Sequence, residues 1–176
     1  ARLLRPGGLI SVVLPDKRYI FDFFRPVSTT GDFLAARGRT RHAAKTRFEE
    51  AAYAVKNGGD IAWAHRSVSA AFSLGNNALH DAIERFEATT DDGPYIDCHH
   101  TVYTPSSFAL IMLELGQLGI VPFTVADMPA PLSGEIYAVL RQGDAVPMPP
   151  AELTAERLRL AQATLRELAE QADWIR

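Results

Sequence analysis

The sequence predicts an α/β fold, and three observations carry that reading. A short apolar run, Leu9 to Leu14, lies between a Pro-Gly-Gly break and Pro15. Residues 16–96 then carry mostly helical patterns. Thr104-Pro105 opens one more helix, followed by two short strand patterns. Strand, helices and strands in that order belong to a layered α/β domain rather than to a bundle or a sandwich.

Taken in order, Ala1 to Arg5 reads as the last turn of a helix, with Arg2 and Arg5 near its negative end. Pro6 cannot continue it, and Gly7 or Gly8 supplies a positive φ after it. Leu9 to Leu14 is apolar except for Ser11, which suits a strand buried on both faces of a parallel sheet. Thr29 or Thr30 caps a short helix through Ala36, ended near Gly38. A second helix is expected from Arg41 to Lys56, with Ala44, Phe48, Ala51, Ala52 and Val55 inward and Asn57-Gly58-Gly59 as its stop. Asp60 to Ser73 reads as a further short helix. Asn76 or Asn77 caps a helix through Ala88 with Leu79, Ile83 and Phe86 as its inner stripe.

Thr89 to Pro94 is a turn. Thr104 then stands at a cap with Pro105 at the first helical position, and Phe108, Ile111, Met112, Leu115 and Leu118 follow helical spacing to Gly119. Val121–Val125 and Glu135–Leu140 are strands separated by Pro129 and Pro131. Pro147, Pro149 and Pro150 make a stiff linker. Leu158, Ala161, Leu165, Leu168, Ala172 and Ile175 recur at spacings of three and four, either as a helix lying on the domain or as a coiled-coil seam for a dimer or partner. Two regions follow: residues 1–146, with a helical insertion at about 16–96, and residues 147–176.

A chain of 176 residues, nearly half of them hydrophobic, has enough apolar surface for one core. No run of about eighteen apolar residues is present, so no membrane span is expected. The single Cys98 excludes an internal disulfide framework and favours the cytoplasm. The net charge of −3 conceals an asymmetry: residues 1–48 hold ten Lys/Arg against three Asp/Glu. That basic stretch lacks interleaved aromatics or a recognised binding module, which argues against nucleic acid and for a small anionic or sugar-like molecule.

Asp16, Lys17, Arg18, Tyr19, Asp22 and Arg25 are the candidate substrate-binding residues, because they follow the carboxyl end of a strand, where open α/β sheets bind ligands. Arg18 or Arg25 suits a carboxylate or phosphate through a forked hydrogen-bond pair. The same residues also allow two bracing ion pairs, Asp16–Arg18 and Asp22–Arg25. His99 is the candidate general base. Asp97, Cys98, His99 and His100 are all metal-ligand types, but neighbours in an extended segment face opposite ways, so a site would need His42, His65 or His80 as well; no metal is expected. Cys98 lacks a nucleophile motif.

Arg2-Leu3-Leu4-Arg5-Pro6-Gly7-Gly8 and the apolar run after it resemble the segment before the fifth strand of class I S-adenosylmethionine-dependent methyltransferases. Pro15-Asp16-Lys17-Arg18-Tyr19, with Phe21-Asp22 and Arg25-Pro26, is similar to a methyltransferase type 11-like subgroup with a Pro-Asp-Lys-Arg motif. His99 to Phe108 resembles that subgroup's His-x-His-x-aromatic-Thr-Pro-Glu-Ser-Phe segment, with Thr101 in place of the second His and Ser106 in place of the Glu. The resemblance covers roughly residues 2–141. It implies a partial Rossmann-like methyltransferase fold: strand five, a helical insertion over the substrate crevice, a helix, and antiparallel strands six and seven, here with a C-terminal helix added.

The activity implied is methyl transfer from S-adenosylmethionine to an O or N atom of a small-molecule or glycan acceptor. The family's glycine-rich turn after strand one and acidic residue after strand two are absent from the sequence, so no cofactor-binding residue is assigned and that half is expected to precede Ala1. The alternative is a non-catalytic interaction or binding module that keeps a remnant of the fold.

Overall fold

The computed structural model describes residues 3–64, 66–75, 79–130 and 134–175. These form a mixed α/β structure with five helices and two small antiparallel sheets. The larger sheet holds β1 (Leu9–Pro15), β4 (Phe123–Asp127) and β5 (Glu135–Gln142) in the order β1-β5-β4. β5 pairs with β1 from Leu9↔Arg141 to Pro15↔Glu135 and with β4 on its other side. The smaller sheet is a hairpin of β2 (Val55–Asn57) and β3 (Phe72–Leu74).

β5 is central because it alternates: Ile136, Ala138 and Leu140 point inward while Glu135 and Arg141 face out. Its inner residues meet Tyr103, Phe108, Ile111 and Leu115, the last three from α4 (Pro105–Gln117), in the main core. Each fully buried side chain of this kind contributes about 1.5–3 kcal/mol. The start of α4 matches expectation. Pro105 needs no hydrogen bond there, and Ser107 Oγ accepts the Thr104 N–H at 2.9 Å.

Between β1 and α4 lie α1 (Thr30–Ala36), α2 (Ala44–Tyr53), the β2–β3 hairpin and α3 (Leu79–Glu87). Thr29 caps α1 in a box with Asp32. Phe23, Tyr19, Val55 and Trp63 make a second core, on which Trp174 packs from the chain's last turn.

α5 (Pro150–Asp173) lies on α4, as the reading of a terminal helix packed on the domain expects. The buried face, however, is Leu160, Thr164 and Gln171, while Leu158 and Leu165 are exposed. The expected apolar seam is therefore turned away from the domain by part of a turn, and a largely polar seam makes the contact. Glu167 accepts from Ser106 Oγ at 2.7 Å and from Ser106 N–H at 3.2 Å. That puts a carboxylate on the free amides of the α4 N-terminus. Arg157 donates to Glu114 at 2.7 Å, and Gln171 Nε2 donates to the Phe23 carbonyl at 2.7 Å.

Several expectations are corrected. Residues 3–5 form a turn and bend rather than the end of a helix, with Gly7 at φ 75°. β1 is not buried on both faces: Leu9, Ile10 and Val13 are exposed, and its described pairing is antiparallel. An apolar run alone cannot tell a central strand from an edge strand whose neighbours are few. The helix expected to Lys56 stops at Tyr53, and Asn57 to Gly59 turn the chain into a hairpin, with Gly58 at φ 64° and Gly59 at φ 103°. The described residues from Asp60 to Ala71 form turns, bends and bridges rather than a helix, and Phe72 and Ser73 belong to β3. On α3, Ala82 is buried while Leu79, Ile83 and Phe86 are exposed; the Asn76 and Asn77 caps lie outside the described residues. Among the described residues, no helix is long and apolar enough to cross a membrane.

The polar seam makes a direct prediction. Gln171→Ala removes a buried donor to the Phe23 carbonyl and an acceptor for Lys17, and should cost about 1–3 kcal/mol in urea unfolding. Leu165→Ala, on the exposed face, should change stability by less than about 0.5 kcal/mol. The opposite ranking would mean that the apolar stripe holds the helix.

Candidate functional site

The segment after β1 is a tight, charged and buried turn. Asp16 caps a single 3₁₀ turn over Lys17–Tyr19 by accepting the Arg18 N–H at 3.1 Å. The same carboxylate takes the Arg18 side chain, at 2.6 Å from Nη2 and 3.0 Å from Nε. Lys17 Nζ donates to the Phe23 carbonyl and, at 3.1 Å, to Gln171 Oε1. Burial pushes the Lys17 amine down to about 8, against the opposing pull of Asp16 and Asp22. Its neutral form is thus favoured by folding, so this group adds stability as pH rises from about 8 toward 10.5 and withdraws it below. Tyr19 packs on Trp174 with the rings tilted at 53° and their centroids 5.0 Å apart.

All six substrate-binding candidates are buried: none of Asp16, Lys17, Arg18, Tyr19, Asp22 and Arg25 is more than 5% exposed. The first four lie beneath the C-terminal end of α5, where Glu170 also approaches Arg18 at 3.6 Å. Both bracing ion pairs are present. Asp16–Arg18 closes at 2.6 Å and Asp22–Arg25 at 2.7 Å. The Arg18 fork is therefore occupied by the protein itself.

Asp22 and Arg25 do a second thing. Asp22 Oδ2 lies 2.6 Å from His99 Nδ1, across 77 positions in sequence. Arg25 Nη1 donates to both Asp22 Oδ1 and the His99 carbonyl, at 2.7 and 2.8 Å. Glu50 accepts the His99 N–H at 2.8 Å, and the Phe21 ring lies against the imidazole at 4.7 Å between centroids. The hydrogen bond that His99 donates to Asp22 raises the His99 pKa above its ordinary value, with partial burial opposing. With Nδ1–H committed to a carboxylate that is 1% exposed, the neutral ring presents Nε2 as its free acceptor, on a side chain 41% exposed. That arrangement can take a proton from a hydroxyl or amine.

The alternation read from the sequence holds for the two histidines. His99 meets Asp22, whereas His100 turns to the opposite side and stacks on His42, 5.3 Å between centroids. Asp97 accepts from the Tyr95 hydroxyl at 3.0 Å. Cys98 is half-buried, and burial pushes its thiol up, away from the reactive thiolate. His80 pairs with Glu84 on α3 at 3.4 Å, and His65 lies outside the described residues. Among the described residues, no three His, Cys, Asp or Glu side chains converge as a metal site would need.

Glu50 and Gln171 are the partners that sequence reading does not identify. Each reaches its target across 49 or more positions, and no local pattern marks such pairings. Nor do the described residues form a nucleoside cradle. Gly7 and Gly8 lead into β1, Gly58 and Gly59 turn β2 back toward β3, Gly119 closes α4, Gly143 follows β5 into an extended segment, and a single glycine, Gly75, stands after β3 ahead of α3, so no glycine-rich turn carries a described strand into a helix. Comparison with known proteins adds nothing to this: no family model, curated protein or solved structure matches the chain.

The site makes a pH prediction. Because the folded pKa of His99 is raised, the Asp22–His99 pair contributes its full stability below about the ordinary 6.5 and loses it as pH rises through the folded value. The imidazole proton resonances should titrate above 6.5 in the native protein. In Asp22→Asn the midpoint should fall. An unchanged midpoint would remove Asp22 as the cause.

Proposed function

We propose that these residues are the C-terminal part of an S-adenosylmethionine-dependent methyltransferase of class I type, acting on an O or N atom of a small-molecule or glycan acceptor, with His99 as its general base. The carrying observation is the Asp22–His99 pair: a buried carboxylate fixes the ring tautomer at 2.6 Å and leaves Nε2 outward. The sheet order β1-β5-β4 supports the reading, since it places an antiparallel pair beside the strand that resembles the family's fifth.

His99 Nε2 accepts the proton of the attacking hydroxyl or amine, and Asp22 stabilises the imidazolium that results. Arg25 orients the Asp22 carboxylate through its 2.7 Å bond. Of the six substrate-binding candidates, Asp22 and Arg25 act through His99 as positioning residues. Asp16, Lys17, Arg18 and Tyr19 brace the turn and receive α5. The residues described do not fit S-adenosylmethionine, for want of a glycine-rich turn that leads from a strand into a helix, so none is assigned to the methyl donor and no step is routed through it.

A second reading, a non-catalytic interaction module, is favoured by one observation: Leu79, Ile83 and Phe86 leave an exposed apolar stripe on α3. Transfer of labelled methyl from S-adenosylmethionine by the protein that carries this chain separates the two. His99→Ala should lower kcat/KM by about 10²–10⁴-fold. A rate unchanged in His99→Ala would sink His99 as the base. No transfer, together with no calorimetric binding of S-adenosylhomocysteine, would leave the interaction module.

A further inference from the structure

A cavity of about 280 Å³ opens between the turn after β1, the end of α2, β2 and α3. Two of its lining residues, Phe21 and Glu50, are also the ones that meet the ring and the N–H of His99, so it adjoins the proposed base. Its apolar wall is Phe21, Ala51, Ala54, Val55 and Ile61. Backbone hydrogen bonds fix that wall. Phe21 N–H donates to the Ile61 carbonyl at 2.8 Å, Val55 N–H to the Phe21 carbonyl at 3.0 Å, and Gly75 N–H to the Ala54 carbonyl at 2.6 Å. A cleft held in this way is formed before any ligand arrives.

Three charged side chains complete the wall: Glu50, Lys56 and Arg85. Glu50 already has its partners. One oxygen accepts the His99 N–H at 2.8 Å, and the other lies 3.6 Å from Arg47 Nη1. Lys56 and Arg85 do not. Both are half-buried, and neither the Lys56 amine nor the Arg85 guanidinium has a hydrogen bond or ion pair among the described residues. Lys56 belongs to β2 and Arg85 to the last turn of α3, so two separate elements bring their cations to one cavity. The balance of the wall is therefore positive. A cationic ligand would be repelled. A neutral one would leave both cations without a counter-charge. A carboxylate or phosphate accepts from an ammonium and a guanidinium at once, since both of these only donate. The apolar wall beside them suits a ring, and the volume suits a ligand at the small end of the usual range.

We propose that this cavity binds a small anionic ring compound, a carboxylate or a phosphate ester, with its anion on Lys56 and Arg85 and its ring against Phe21 and Ile61. Binding is read without any turnover, so its failure leaves the proposed activity untouched, and a failure of methyl transfer leaves this site untouched.

Saturation-transfer-difference NMR on the protein tests it. Benzoate and phenyl phosphate are the anionic probes, benzyl alcohol the neutral one and benzylamine the cationic one, with inorganic phosphate followed by its phosphorus linewidth. At least one of the two anionic rings should show ring-proton saturation, and the tighter of them tells carboxylate from phosphate. Benzyl alcohol should bind about tenfold more weakly, and benzylamine should give no signal. Lys56→Gln and Arg85→Gln should each weaken the anionic ring about tenfold, the loss of one charge-assisted hydrogen bond. Both side chains are partly exposed and give up no described hydrogen bond, so both variants should keep the native circular dichroism. Should one fail to fold, the other variant and the comparison of probes decide. No signal from either anionic ring, equal binding of benzyl alcohol, anion binding that neither folded variant weakens, or binding of inorganic phosphate alone would each overturn the proposal.

Discussion

A carboxylate that is 1% exposed has to find its counter-charges inside the protein, and Asp22 finds two. Arg25 Nη1 and His99 Nδ1 reach its two oxygens at 2.7 and 2.6 Å. Taking an ionised carboxylate out of water costs several kcal/mol, and the cost is met only when geometry and hydrogen bonding are good. Together with the Asp16↔Tyr103 bridge and the hydrogen bonds between Ser28 and Val102, this pairing ties the turn after β1 to the extended segment before α4. His99 is thereby oriented, and His100, facing the other way, stacks on His42. The proposed base is a consequence of one buried acid.

The charged turn before Asp22 follows the same rule for a different end. Asp16, Arg18 and Lys17 are buried with their partners supplied from within the turn and from α5. A helix packed on such a turn needs polar groups on its inner face, which is why Gln171 and Glu167 make the contact and Leu158 and Leu165 do not. The Pro-Asp-Lys-Arg segment therefore divides by role: its first residues build the frame, and its continuation through Asp22 and Arg25 reaches the site.

Local signals were legible in the sequence. The Thr29 cap, the Thr104-Pro105 start, Gly119, the alternating β5 and the opposite facing of His99 and His100 all follow from rules that act within a few residues. The two ion pairs, at spacings of two and three, were also visible as an option. What was hidden is what depends on distant residues. Leu9 to Leu14 has the composition of a buried strand but few neighbours to bury it. Val55 to Asn57 continues a helical pattern, yet pairs with Phe72 to Leu74, fifteen or more positions on. The stripes of α3 and α5 were read from apolar spacing, whereas α5 is turned by the charges it has to satisfy. The candidate site residues do lie together in one buried cluster, but that Asp22 bonds His99 rather than a ligand is a tertiary fact with no local trace.

The most direct test of this account is a double-mutant cycle on folding stability with Asp22→Asn, His99→Gln and the pair, in urea near pH 6. If Asp22 organises the site through His99, the coupling should be about 1–3 kcal/mol, as for side chains in one buried network. Additive losses, with a coupling within about 0.3 kcal/mol of zero, would show that the two residues are neighbours without being partners, and the account built on their bond would fall.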